Sequence, residues 1–156
     1  MKILIATDGS TFSQAAVEKL CRLVVKAKDA AIKIVSVYSM VIPLDDFTPS
    51  AEYSEKLERA QKAQAEEAAE KAAAAIRRCL PDSNLDLTTK ISIGNPPQVI
   101  VETAKEWNAD LIVTGSHGRG FWKRMLLGSV SDAVVHHAPC SVLVIRDDCS
   151  ENTQPE

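Results

Sequence analysis

The chain has 156 residues, of which 46% are apolar and 25% are charged, a composition typical of one globular domain. Its net charge of −3 argues against nucleic acid or an anionic membrane as a partner. No apolar run approaches the roughly 20 residues that a membrane helix needs, and the run at residues 3–6 is too short for a signal-peptide core. We therefore expect a cytoplasmic protein that binds neither nucleic acid nor a membrane.

The first elements of the chain are predicted to be a strand, a helix and a second strand. Residues 3–6 are a continuous apolar run and residues 32–37 are apolar apart from Lys33 and Ser36, a composition typical of strands that are buried on both faces of a parallel sheet. The intervening helix follows Ser10 and Thr11. Its apolar face is predicted to consist of Ala16, Leu20, Leu23, Val24 and Ala27.

A long alanine-rich helix and an edge strand follow. Thr48 and Pro49 are a suitable cap and first-turn pair for this helix, which is predicted to end near Leu80. Residues 85–93 alternate apolar with polar side chains, a pattern typical of a half-exposed edge strand. The predicted apolar stripe of the long helix is Leu57, Ala65, Ala68, Ala72, Ile76 and Cys79.

The remaining sequence predicts two more helices and two more buried strands. Asn95 begins a capping-box spacing that opens a third helix, and residues 111–114 form the next strand. A fourth helix starts near Ser129 and ends before Pro139, and residues 142–145 form the last strand. This alternation of strands and helices predicts an α/β fold, a doubly wound parallel sheet with right-handed crossovers.

The chain has four cysteines, at positions 21, 79, 140 and 149. No two of them form a C-x-x-C pair, and their spacing does not match that of zinc ligands. Cys21 and Cys79 fall on predicted apolar helix faces, where a free cysteine acts as a small hydrophobe. We expect no disulfide, because the predicted compartment is reducing. His136 and His137 with Cys140 are not expected to bind a metal, since adjacent histidines on a helix point in different directions.

Two strand ends carry residues suited to ligand binding. In a doubly wound sheet, ligands bind at the carboxyl ends of strands where the strand order reverses. The first strand ends in an acid and a flexible turn, residues 6–10, and the fourth ends in the glycine-rich residues 114–120. Gly128 and Ser129 then open a helix, whose free N–H groups favour phosphate. These features predict a phosphate cradle; the alternative is a glycine-rich surface turn followed by an ordinary helix cap.

The spacing Gly115-x2-Gly118-x9-Gly128-Ser129 resembles the nucleotide motif of ATP-binding universal stress proteins. Residues 3–10, 109–118 and 136–146 also resemble the first, fourth and last strands of that family, and the likeness extends from residue 2 to residue 146. The resemblance implies an adenine nucleotide alpha hydrolase-like fold. Its sheet would have five parallel strands in the order 3-2-1-4-5, with helices on both faces. We expect one domain at residues 1–146 and a polar tail at residues 147–156.

The resemblance also implies which residues form an ATP site. Asp8 would accept hydrogen bonds from the ribose hydroxyls, Ala6 and Thr7 would lie near the adenine, and the backbone of Val37 would meet the adenine edge. A divalent cation, Mg or Mn, would be bound through the phosphates rather than by a protein cage. The residues implied around the phosphates are Gly115, Ser116, His117, Gly118, Arg119, Gly128, Ser129, Val130 and Ser131.

The leading functional hypothesis is a nucleotide-dependent regulatory or stress-response factor. The alternative is a slow ATPase or a phosphate-transferring enzyme, although the sequence offers no clear acid to orient a water. Phe121 and Trp122 either fold over the nucleotide or cover the core. The family resemblance further implies a homodimer through the last strand. An apolar edge strand would otherwise be prone to aggregation.

Overall fold

The computed structural model describes residues 1–24, 30–39, 50–81, 85–118 and 127–146. Within these ranges, strands and helices alternate along the chain. The polar tail that we expect at residues 147–156 lies outside the described residues. The elements are β1 (Lys2–Ala6), α1 (Thr11–Val24), β2 (Ala31–Tyr38), α2 (Ala51–Cys79), β3 (Asp86–Ile93), α3 (Pro96–Trp107), β4 (Leu111–Gly115), α4 (Ser129–His137) and β5 (Ser141–Ile145).

The five strands form one parallel sheet in the order β3-β2-β1-β4-β5. The predicted fold class and strand order are therefore confirmed. β1 lies at the centre, paired along its length with β2 on one side and with β4 on the other. β3 is an edge strand whose positions are all exposed or half-buried, in keeping with the predicted half-exposed edge strand, although exposed and half-buried positions alternate only at residues 86–88.

Each face of the sheet is covered by two helices. In β1, Ile3 and Ile5 point into a core shared with α1 and α2, whereas Leu4 and Ala6 point into a core shared with α3 and α4. Alternate residues of a strand face opposite sides of a sheet, which explains why this strand is apolar throughout. The order of elements thus places α1 and α4 on opposite faces.

The helix boundaries and faces differ in two places from the sequence prediction. The cap of α2 is Ser50, whose side chain accepts a hydrogen bond from the backbone N–H of Tyr53; Thr48 and Pro49 lie outside the described residues. In α1, Leu23 is 56% exposed although the periodicity places it on the buried face. None of the described helices is long and apolar enough to cross a membrane.

The structure joins Cys21 and Cys79 by a disulfide, so the expectation of free thiols at these two positions is wrong. Cys21 lies on the buried face of α1, and Cys79 ends α2, which packs on the same face of the sheet. The two Cα atoms are 6.1 Å apart, within the usual range for a bridged pair. Helical periodicity predicts an apolar face for each helix separately, but it does not reveal that the two cysteines meet, and Cys79 is itself exposed at the end of α2.

We predict that the disulfide makes a measurable contribution to stability. Its partners are separated by 58 residues, and closing a loop of that length in the unfolded chain corresponds to roughly 4 kcal/mol in the chain-entropy model. Reduction of the wild-type protein should therefore lower the free energy of unfolding by about 2–4 kcal/mol in urea titrations.

The Cys79→Ser variant is the control for this prediction, since its unfolding should not respond to the reductant. The state of the thiols is checked by alkylation of the unfolded protein and mass spectrometry. Alkylation of both Cys21 and Cys79 without prior reduction would contradict the bridge.

Candidate functional site

A cavity of about 530 Å³ opens at the carboxyl ends of β1 and β4, a size typical of small-molecule sites. These two strands are neighbours, but the helices that follow them cover opposite faces of the sheet. The chain therefore diverges at this point and leaves a crevice. The cavity is lined by Ala6, Thr7, Asp8, Ser13, Val35, Val37, Pro96, Ile100, Thr114, Gly115, His117, Gly118, Gly128, Ser129, Val130 and Ser131.

The loop after β1 holds the carboxylate of Asp8 at the cavity. Its Oδ1 atom accepts hydrogen bonds from the backbone N–H of Ser10 at 3.0 Å and from the Ser10 hydroxyl at 2.6 Å. Gly9 adopts a positive φ of 79°, which allows the tight turn between them. The backbone N–H of Thr7 donates to the carbonyl of Val35 and so anchors the start of the loop to β2.

Gly115, the last residue of β4, allows α1 to approach the sheet. A β-carbon at this position would lie 2.7 Å from the carbonyl carbon of Phe12 and 2.8 Å from its carbonyl oxygen. These are backbone atoms in the first turn of α1, so no side-chain movement would relieve the contact. The sequence reasoning assigned this glycine to the approach of an anion; the structure shows that it also makes room for a helix.

The other two motif glycines make room for chain segments at the cavity. A β-carbon on Gly118 would lie 2.8 Å from Oδ2 of Asp8, so the carboxylate rests against this glycine. A β-carbon on Gly128 would lie 3.2 Å from the carbonyl oxygen of Ser116. The spacing of the motif thus brings the end of β1, the end of β4 and the start of α4 into direct contact.

Hydrogen bonds also join the two halves of the motif. The carbonyl oxygen of Ser116 accepts from the backbone N–H of Gly128 at 2.7 Å and from the hydroxyl of Ser131 at 2.9 Å. Ser131 is only 2% exposed, and its hydroxyl also lies 2.9 Å from the carbonyl oxygen of Gly128. A serine hydroxyl has one hydrogen to donate, and that of Ser131 already joins the two halves of the motif. A phosphate that accepted a hydrogen bond from this hydroxyl would have to take the same hydrogen.

The N-terminus of α4 faces the cavity. Ser129 and Val130, the first two helical residues, line it. The first N–H groups of a helix have no partner within the helix, and the cap residue Gly128 provides no side-chain hydrogen bond. These N–H groups and the helix dipole together favour a negative charge at this end of the cavity.

Another part of the cavity is apolar. Ala6 and Val35 are paired across β1 and β2, and Val37 follows on the same strand. Pro96 and Ile100 of α3 complete the apolar lining. A flat aromatic ring is the kind of group that such a surface accommodates.

His117 also lines the cavity, and two contacts of its imidazole are described. The Nδ1 atom is 3.1 Å from the hydroxyl oxygen of Ser116. The ring centroid is 5.2 Å from that of Phe12, with an interplanar angle of 48°. The ring is thus packed against the start of α1 while it lines the cavity.

Most of the residues predicted for the site lie together around this cavity. Ser116 is the exception, because its side chain is buried and the residue contributes its carbonyl oxygen to the joint between the motif halves. Arg119, Phe121 and Trp122 lie outside the described residues. Those that line the cavity are Ala6, Thr7, Asp8, Val37, Gly115, His117, Gly118, Gly128, Ser129, Val130 and Ser131.

Five lining residues were missed by the sequence reasoning: Ser13, Val35, Pro96, Ile100 and Thr114. None of them lies on β1, so their approach to the cavity depends on the fold. Val35 had a signal in the strand period, since it lies two residues before Val37 on β2 and such residues share one face of the sheet. The residues of α3 had no such signal, because their approach to the cavity results from helix packing.

In the part of the chain that the structure describes, no group of three His, Cys, Asp or Glu side chains is arranged to hold a metal ion.

Burial raises the pKa of the Cys140 thiol, and the Asp110 carboxylate raises it further, while a backbone hydrogen bond from Ile112 acts in the opposite direction. The thiol therefore stays protonated at neutral pH, which makes it a poor metal ligand and a poor nucleophile.

Comparison with known proteins connects this arrangement to a family. The model of the universal stress protein family matches residues 1–146. A Staphylococcus epidermidis protein named as a universal stress protein is 37% identical over 156 residues, which cover 99% of this chain and 89% of that protein.

Solved structures share the fold. Universal stress protein UspA from Lactobacillus plantarum has a TM-score of 0.78 and 30% identity, and the match covers 94% of this chain and 97% of that one. A universal stress protein family protein from Arabidopsis thaliana, solved with AMP bound, has a TM-score of 0.69 over 98% of this chain and 95% of that chain. Its identity is 22%, so this second likeness concerns the fold alone.

We predict that Gly115→Ala destabilises the protein more than Gly128→Ala does. The added methyl group at position 115 would overlap backbone atoms of Phe12 at 2.7 Å, whereas at position 128 its closest contact is 3.2 Å. Overpacking of the first kind costs about 1–3 kcal/mol. Urea unfolding of the two variants measures the difference, and the same residue change in both cancels its effect on the unfolded chain. Equal stabilities would contradict the close approach of α1 to β4.

Proposed function

The chain belongs to the universal stress protein family, and we propose that it is a member that binds ATP in the cavity at the ends of β1 and β4. The observation that carries the proposal is the composition of this single cavity. It combines an apolar surface, the carboxylate of Asp8 and the N-terminus of α4. A nucleotide has the matching set of groups, namely an apolar base, a hydroxylated sugar and anionic phosphates.

Each part of the nucleotide has a counterpart among the lining residues. We propose that the adenine lies against Ala6, Val35 and Val37 and that the ribose hydroxyls donate to Asp8. The phosphates would accept hydrogen bonds from the backbone at Gly118 and at the start of α4. The contacts of Gly118 and Gly128 support this assignment, because a side chain at either position would narrow the space next to Asp8 or Ser116.

We propose that Mg or Mn enters with the nucleotide. The described residues offer no protein cage for a cation. Mg²⁺ usually keeps several waters and is bound through phosphate oxygens and one or two carboxylates. The cation would screen the phosphate charge and leave the lining residues to orient the nucleotide.

Regulation by occupancy is the function that we favour over turnover. Among the described lining residues, Asp8 is the sole carboxylate, and its Oδ1 already accepts two hydrogen bonds from Ser10. Efficient hydrolysis needs a group that orients the attacking water and another that stabilises the transferred charge. A slow ATPase remains the second candidate, with Arg119, which lies outside the described residues, as its charge-stabilising group.

We further propose a homodimer joined through β5. This strand is at one edge of the sheet, and its side chains at Val142, Leu143 and Val144 are half-buried. An apolar edge strand is a template for pairing with another chain. A second copy of the same strand would cover it with twofold symmetry.

One prediction of the proposed function concerns ATP binding in the cavity. Wild-type protein stripped of nucleotide should bind ATP with Mg in calorimetric titration with a micromolar Kd. Gly118→Ala should weaken binding by about tenfold or more, because its β-carbon would displace the Asp8 carboxylate, which lies 2.8 Å away. Circular dichroism of the variant controls for folding. A wild type that binds no ATP would overturn the proposed function, and unchanged binding by a folded variant would overturn this placement of the site.

A second prediction concerns the dimer. Val144→Lys should convert a particle of twice the 16.9 kDa chain mass into monomer or insoluble protein, as measured by light scattering after size-exclusion chromatography. The matched control is Thr88→Lys, which places the same charge on an exposed position of the opposite edge strand, β3, and should leave the dimer intact. A soluble dimer of the Val144 variant with unchanged mass would contradict the proposed interface.

A further inference from the structure

Ser10 makes two hydrogen bonds to the same oxygen of Asp8. Its hydroxyl donates to Oδ1 at 2.6 Å and its backbone N–H donates to the same atom at 3.0 Å. Bonds to an ionised acceptor are short and about twice as strong as those between neutral groups. They fix the rotation of the carboxylate and turn Oδ2 towards Gly118, where a β-carbon would lie 2.8 Å away.

Ser10 is itself held in place by buried hydroxyl groups. The backbone N–H of Ser13 donates to Ser10 Oγ at 3.3 Å, and the Ser13 hydroxyl donates to the Ser10 carbonyl at 2.9 Å. Behind them, the Thr7 hydroxyl donates to Ser13 Oγ at 3.1 Å. Thr7 and Ser13 are 7% and 3% exposed. Ser10 itself is half-buried, and these bonds to buried neighbours hold its hydroxyl beside Asp8.

We propose that Ser10 is a positioning residue that makes the cavity selective for ribonucleotides over deoxyribonucleotides. It does so by holding the Asp8 carboxylate in the one orientation that accepts from the sugar hydroxyls. This inference rests on the proposed function, since it assumes that Asp8 meets the sugar of a bound nucleotide. It goes further by identifying the group that sets the sugar preference, a residue that does not itself line the cavity.

One hydroxyl performs two tasks in this arrangement. It caps the first turn of α1 by accepting from Ser13, and it donates its hydrogen to Asp8. Replacement by glycine removes both of these hydroxyl bonds, yet glycine is nearly as good a helix cap as serine. Replacement by threonine keeps the hydroxyl and both bonds. Comparison of Ser10→Gly with Ser10→Thr therefore separates the effect of the hydroxyl from that of the rest of the side chain.

The chain offers a matched control for the loss of a cap. Ser50 caps α2 by accepting from the backbone N–H of Tyr53 at 3.3 Å, and it does not line the cavity. Ser50→Gly makes the same chemical change at the same structural position of a different helix. It should alter stability as Ser10→Gly does without altering the sugar preference.

The experiment compares the affinities of ATP, 2′-deoxy-ATP and 3′-deoxy-ATP, each with Mg, by calorimetric titration. We expect the wild type, Ser10→Thr and Ser50→Gly to bind ATP about tenfold more tightly than the deoxy analogues. Ser10→Gly should reduce this ratio to about twofold by weakening ATP, with little change for the analogue that lacks the relevant hydroxyl. A general loss of structure would instead weaken all three ligands together.

The possible results separate this inference from the proposed function. A wild-type preference for ATP that persists in Ser10→Gly overturns the role of Ser10 and leaves ATP binding intact. Equal affinities of the wild type for ATP and both analogues overturn the contact between Asp8 and the sugar, again without removing ATP binding. A wild type that binds none of the three ligands overturns the proposed function and this inference with it.

Discussion

The contact between the first turn of α1 and the end of β4 determines how the cavity is built. Gly115 has no side chain, and the backbone of Phe12 occupies the space that a β-carbon would need. The loop between β1 and α1 is therefore drawn over the end of β4, and Asp8 comes to rest against Gly118. The crevice opens because α1 and α4 diverge to opposite faces of the sheet. The close approach of α1 to Gly115 then determines which side chains line the crevice.

Buried hydroxyl groups stabilise the same junction. Four hydroxyl side chains at the cavity are buried and take part in a described hydrogen bond, namely those of Thr7, Ser13, Ser116 and Ser131. A buried hydroxyl without a partner would be costly; among the described residues no buried side-chain nitrogen or oxygen lacks one. Several serines of the motif are thus used to hold backbone segments in place, which reduces the number available to a ligand.

The strands and helices could be predicted from the sequence because the signals that mark them are local. Continuous apolar runs identify strands buried on both faces, and glycine, proline and capping residues mark where helices begin. The family resemblance supplied the strand order. The errors concern contacts between elements: periodicity placed Leu23 on the buried face, although it is 56% exposed, and gave no sign that Cys21 and Cys79 meet. For the site, the motif spacing singled out the glycines and the end of the first strand singled out Asp8, all of which line the cavity, but neither signal showed which hydroxyl donates to which carbonyl.

The backbone links the cavity directly to the strand that we propose as the dimer interface. The N–H of Ser116 donates to the carbonyl of Ile145 at 2.7 Å, and Gly115 is paired with Ile145 across β4 and β5. The carbonyl of the same Ser116 accepts from Gly128 at the start of α4. One peptide segment therefore connects the N-terminus of α4, where we propose that phosphate binds, to the end of β5. A regulatory protein with this layout would need no separate moving domain to transmit occupancy to its partner subunit.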